Sequence, residues 1–277
     1  EEEPGKIMHE IRFGEMARCQ EIPHTPYYGT VDATPLWLML YAEYYAWTGD
    51  EDTLNELWDH ALAAMDWCDR NLQETGYLRY FSRSYRGLGN QGWKDSSNCS
   101  VGDRLKAPDM FSSWGIRTLS SDNPAYNPMG YHIGSVWPHD NGMIAQGLRS
   151  LGFVDQPLEI AQGLFDMTMT QPYQRPPELF CGHERIGDNL PIQYPVACSP
   201  QAWASGTIFQ LLTMMLNLVP DAQGNYLRVI DPALLPSINQ LSIQNLRIGK
   251  TYLNLEFERS NGTVACRVTK NAVICGW

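Results

Sequence analysis

No stretch of this 277-residue sequence reaches the roughly 18 uninterrupted apolar residues that a membrane-spanning helix requires, and nothing in it matches a phosphate-binding loop or a dinucleotide fingerprint. Basic charge is scarce. Twenty Lys and Arg stand against 31 Asp and Glu, and the net charge of −11 is spread along the chain without a long acidic run. That balance disfavours nucleic acid and anionic membrane as partners and leaves a neutral carbohydrate acceptable. The seven cysteines (19, 68, 99, 181, 198, 266 and 275) are odd in number and never form a Cys-x-x-Cys pair. This argues against a zinc site and against a complete disulfide framework. No metal and no cofactor is expected, and a reducing, cytoplasmic compartment is the default. Two matches to the glycosylation acceptor pattern, at Asn98 and Asn261, matter only in a secreted chain. The chain opens on Glu1 with neither Met nor a charged-then-apolar leader, which reads as a fragment.

With 43% hydrophobic residues the chain can bury a substantial core. Thr34-Pro35 opens an apolar run through Trp47, with the Thr as cap, the Pro at the first helical position and Gly49 as the stop. Asp50 then caps a second helix to about Thr75, in which Leu54, Leu57, Trp58, Ala61, Met65 and Cys68 recur at helical spacing. The two form a helical hairpin. Trp137-Pro138-His139-Asp140 starts another helix through about Leu151, and Asp155 to Met169 supplies its return. Ser199-Pro200 opens an almost wholly apolar helix from Gln201 to Leu218. Helices this apolar are expected on the inside.

After Pro220 the pattern shifts to short strands at 226–230, 240–248, 252–259 and 263–274. The expected fold is mainly α, with a helical-hairpin domain over residues 1–222 and a β-rich segment over 223–277. The region from Gly76 to Met129 carries few helical signals and is long for a simple connection.

Two carboxylates attract attention. Asp95 ends Asn90-Gln91-Gly92-Trp93-Lys94-Asp95, a Gly-rich loop in which Trp93 can desolvate it and Lys94 opposes that effect unless turned outward. Glu178 follows two prolines and sits between apolar neighbours. A pair of this kind suits glycoside hydrolysis, one carboxyl protonating the leaving oxygen and the other activating water. Asp95 also fits a surface turn, and Glu184 in Cys181-Gly182-His183-Glu184-Arg185 competes with Glu178, although Arg185 points Glu184 toward an ion pair. Trp93, Trp137, Trp203, Tyr28 and Tyr131 offer rings for sugar faces or for the core. Asp32, Asp140 and Gln201, at helix starts, can bind sugar hydroxyls or cap helices. His132 and His139 flank Trp137 without a third metal ligand at a sensible spacing.

The sequence resembles the bacterial amylo-α-1,6-glucosidase family, the glycogen-debranching-like glycosidases built as an (α/α) toroid of six helical hairpins. The resemblance rests on His9 to Met16, Tyr28 to Pro35, Asn90 to Asp95, Trp114 to Leu119, Gly134 to Asn141, Pro177 to Phe180 and Cys198 to Trp203. It implies an inverting hydrolase of α-glucosidic, especially α-1,6, bonds in glycogen-like substrates or oligosaccharides, with Asp95 as acid and Glu178 as base. Tyr28, Asp32, Trp93, Lys94, His132, Trp137, Asp140, Glu184, Gln201 and Trp203 fall to substrate binding. Relative to the family, roughly a hundred residues are absent near Ser97 to Val101, so the toroid is expected to be shortened. A shortened ring exposes apolar helix flanks, which favours a homo-oligomer. The alternative function is a catalytically impaired carbohydrate-binding remnant.

Overall fold

The computed structural model describes residues 2–19, 21, 22, 26–72, 76, 78, 105 and 107–273. After the short helix α1 (Glu15–Arg18), α2 (Ala33–Thr48) and α3 (Glu51–Asn71) form the expected hairpin. Gly49, at φ 62°, supplies the left-handed residue that ends α2, and the Asp50 carboxylate accepts the Thr53 N–H at 3.1 Å to begin α3. The start of α2 differs from expectation. Asp32 occupies the cap position without its side chain capping the helix, and the Thr34 hydroxyl instead accepts the Ile7 N–H at 3.0 Å. A tertiary partner thus takes the local capping group.

Helices α4 (Pro138–Ser150) and α5 (Asp155–Met169) form the second hairpin, and α6 (Ala202–Leu216) packs against α4. Gly142 permits that close approach, because a Cβ there would lie 2.6 Å from Thr207 Cγ2. The core under these helices joins Trp114, Ile116, Val136, Leu164, Phe180 and Leu211. Ser199 and Pro200 lie outside α6, whose cap is Gln201. Asn217, in the left-handed region at φ 47°, ends the helix earlier than expected.

From there the chain enters β1 (Leu218–Asp221), which pairs with β2 (Tyr226–Val229). The expected boundary at 222/223 falls in the turn of this hairpin. A separate antiparallel sheet follows in the order β3 (Gln240–Ile248), β4 (Thr251–Ser260), β5 (Thr263–Val273). Leu216, Leu218, Leu234, Leu255 and Phe257 form a second core between sheet and helices.

The toroid is not formed. Among the described residues there are six α-helices and two antiparallel sheets, which is neither mainly α nor a ring of helical hairpins. Residues 107–137 and 170–201 run as turns and single-residue bridges with one short 3₁₀ helix (Pro172–Gln174), and α6 is followed by strands where a ring would need a return helix. Nor is α2 the inner helix its composition suggests. It packs on α3 and touches β1 and β3, leaving Met39 and Leu40 exposed. Among the described residues no helix is long and apolar enough to cross a membrane.

Three helices end on the same structure. Ala46 and Trp47 at the end of α2 accept the N–H groups of Ala222 and Gly249 at 2.9 and 2.8 Å. Arg149 near the end of α4 donates to the Asp231 carbonyl, and Asn217 at the end of α6 donates to Ile230 O at 2.7 Å. Since 13 to 16 helical residues span about 20–24 Å, the start of each of these helices lies that far from the end that meets the β structure.

Asn141, fully buried in α4, clamps the preceding loop to this frame. It accepts the Ile116 N–H at 2.6 Å and donates to Ile116 O at 3.1 Å and Trp137 O at 2.9 Å. Asn141→Leu strands the Ile116 N–H and C=O in the core. The expected loss is about 3 kcal/mol, read as a lower urea midpoint at unchanged slope.

Candidate active site

The Glu178 segment is held by backbone on both sides. Val136 and Phe180 exchange two N–H···O bonds of 2.9 Å, Cys181 N–H donates to Ile192 O at 2.9 Å, and Glu178 N–H donates to Cys198 O at 2.9 Å. Arg117, Val136, Phe180 and Gln193 thus form a row of antiparallel bridges across four separate segments. The row tolerates no extra atom beside it, since a Cβ on Gly182 would lie 1.6 Å from Gly134 O. The buried Arg117 guanidinium ties its edge, donating to Gly182 O at 2.8 Å, Pro108 O at 3.1 Å and Asp109 O at 3.2 Å.

In this frame Glu178 is only 9% exposed. Its Oε1 accepts the Tyr131 hydroxyl at 2.7 Å and its Oε2 accepts the Cys198 N–H at 3.3 Å. A buried carboxyl is tolerable because both oxygens are satisfied. Burial, followed by the bond to Glu178 and that carboxylate's charge, pushes the Tyr131 phenol well above its ordinary range, so it remains a donor.

Aromatic rings surround the pair. The Tyr131 ring meets Trp137 edge-on at 4.9 Å, Tyr194 at 5.6 Å and His132 at 4.6 Å. Trp203 from α6 lies 6.3 Å from Trp137 and stacks on His139 at 5.1 Å, which unites the starts of α4 and α6. Trp137 is 1% exposed and its Nε1 donates to Tyr131 O at 3.1 Å and Ser135 Oγ at 2.9 Å. It supports its neighbours and has no free face. Tyr131, at 38% exposed, is partly open to solvent. His132 is buried beside both rings.

Asp140 stands in the first turn of α4 with a half-buried side chain, and Gln201 spends its side-chain oxygen on Ala202 N–H at 3.1 Å. Tyr28 and Asp32, both half-buried, sit at the start of α2. Glu184 is exposed, and the ion pair expected beside it is not made. Arg185 turns to Asp166 at 2.6 Å and lies 4.4 Å above the Trp114 ring. Asp95, Trp93 and Lys94, with the junction at 97–101, lie outside the described residues. Among the described residues no three His, Cys, Asp or Glu side chains converge as a metal-binding group.

Cys198 and Tyr194 were not anticipated. Cys198 acts through its peptide N–H and C=O, which any residue type except proline supplies, so its side chain carries no signal. Tyr194 precedes a proline in a segment without helical or strand periodicity. No protein-family model matches this chain, and no curated protein matches its sequence.

The raised phenol has a measurable consequence. A group whose folded pKa is raised contributes stability that is complete below its unfolded value, about 10 for Tyr, and is lost as pH rises through the folded one. In an alkaline absorbance titration, Tyr131 is therefore expected to stay silent through the range in which an ordinary tyrosine ionises. That silent residue disappears in Tyr131→Phe and titrates at lower pH in Glu178→Gln.

Proposed function

We propose that this chain is an inverting glycoside hydrolase that cleaves α-glucosidic bonds, the α-1,6 links of glycogen-like or oligosaccharide substrates in particular. Glu178 is the base and Asp95 the acid. The observation that carries the reading is the Glu178 carboxylate, buried near the starts of two helices, accepting hydrogen bonds at both oxygens and bordered by the partly exposed Tyr131. A second support is the resemblance of Asn90 to Asp95 and Pro177 to Phe180 to the corresponding segments of the bacterial amylo-α-1,6-glucosidase family.

The chemistry follows from the two carboxyls. Glu178 takes a proton from water as the water oxygen attacks the anomeric carbon. Asp95 gives its proton to the glycosidic oxygen as the bond to that carbon breaks, and the anomeric configuration inverts. Tyr131 and Trp203 offer ring surface to the sugar, while Asp32 and Asp140 accept from its hydroxyls. Trp93 and Lys94 flank the acid in sequence.

The test is glucose release from maltose, isomaltose, panose and a glycogen limit dextrin by the parent chain, Asp95→Asn and Glu178→Gln. Release by the parent, falling about 10²–10⁴-fold in each variant, is expected, with isomaltose and panose among the better substrates. Sugar binding without release by any form would replace this reading with that of a carbohydrate-binding remnant. Full activity of Glu178→Gln would remove Glu178 from the mechanism.

A further inference from the structure

We infer that Tyr131 is the positioning residue of this site: its hydroxyl, bonded to Oε1, holds the Glu178 carboxylate and fixes the direction in which it faces. The inference rests on the reading of Glu178 as the base. Removing a carboxylate from water favours its neutral form unless charge or donors replace the lost hydration. No Lys or Arg among the described residues is ion-paired with Glu178. Among the described residues two donors reach it: the Tyr131 hydroxyl at 2.7 Å on Oε1 and the Cys198 N–H at 3.3 Å on Oε2. The first of these two is the shorter, and it comes from a side chain.

Tyr131 can hold a direction because it is itself held. Its carbonyl accepts the Ser135 hydroxyl at 2.5 Å and Trp137 Nε1 at 3.1 Å, and its ring is bounded by His132, Trp137 and Tyr194. The other titratable groups facing the pair are the Tyr194 phenol, the Cys198 thiol and the His132 imidazole. Tyr194 and Cys198 bear on the Tyr131 hydroxyl in the same direction as Glu178, favouring its protonated, donating form. The bond leaves lone pairs on Oε1 and Oε2 that the two donors do not occupy, and the water to be activated must bind there.

Tyr131→Phe removes the hydroxyl and retains the ring, so the packing against Trp137 and Tyr194 persists. On the substrate the parent turns over best, kcat and KM are measured between pH 4 and 8. The acidic limb of kcat is expected to move up by about one pH unit, with a fall of about tenfold at the acidic end. KM and the alkaline limb stay in place. A loss uniform across pH would mean that Tyr131 is only structural and would overturn the inference.

The contact is read without turnover from the ¹³C signal of the Glu178 side-chain carboxyl, assigned by its absence in Glu178→Gln. Tyr131→Phe is expected to move the titration of that signal to higher pH. A signal that titrates identically in parent and variant overturns the positioning role. A signal that moves in a parent that hydrolyses nothing upholds the contact and defeats the hydrolase reading instead.

Discussion

The reciprocal bonds between Val136 and Phe180 are the constraint on which the site depends. They join the entry to α4 with the chain between α5 and α6, two segments that carry no strand and, apart from one 3₁₀ turn at Pro172–Gln174, no helix. Because the exchange satisfies both backbone groups of each residue, it can be buried without penalty. Leu179, Phe180 and Val136 accordingly enter the core with almost no exposure. Extending the row to Arg117 on one side and Gln193 on the other places four remote segments in register. Glu178, two residues before Phe180, inherits its position from that row.

The electrostatics of the site follow from the same geometry. Glu178 is desolvated because the row draws it inward between Pro177 and Leu179, and it remains acceptable there because Tyr131 and Cys198 each bring a donor, one to each oxygen. Arg185 offers the contrast. Its guanidinium, a few residues further on, is spent on Asp166 and on the face of Trp114, so it reinforces the wall of the helical core and leaves Glu184 in solvent. Two glutamates six residues apart thereby acquire different characters.

Legibility in the sequence followed the range of the interactions. Helices α3, α4 and α5 and strands β2 to β5 carry their own periodicity and turn residues, and the structure has them within a few residues of expectation. Where a cap was borrowed by a distant partner, as with Thr34 and Ile7, the expected start shifted. The ring of hairpins failed for the same reason on a larger scale. Single helical hairpins are encoded locally, but closing them into a toroid requires further helices, and between and after them this chain has bridged loops and a sheet.

What the sequence by itself determined was the set of locally encoded parts: two helical hairpins, a late apolar helix, a C-terminal sheet and a proline-stiffened glutamate. Only the tertiary structure decided that Glu178 and not Glu184 is buried, that Trp137 is a support, and that Tyr131, 47 residues away in sequence, meets the carboxylate. Spacing along a helix or strand is set by a fixed geometry repeated every few residues. Burial and long-range contact depend on the path of the whole chain, which no short pattern records.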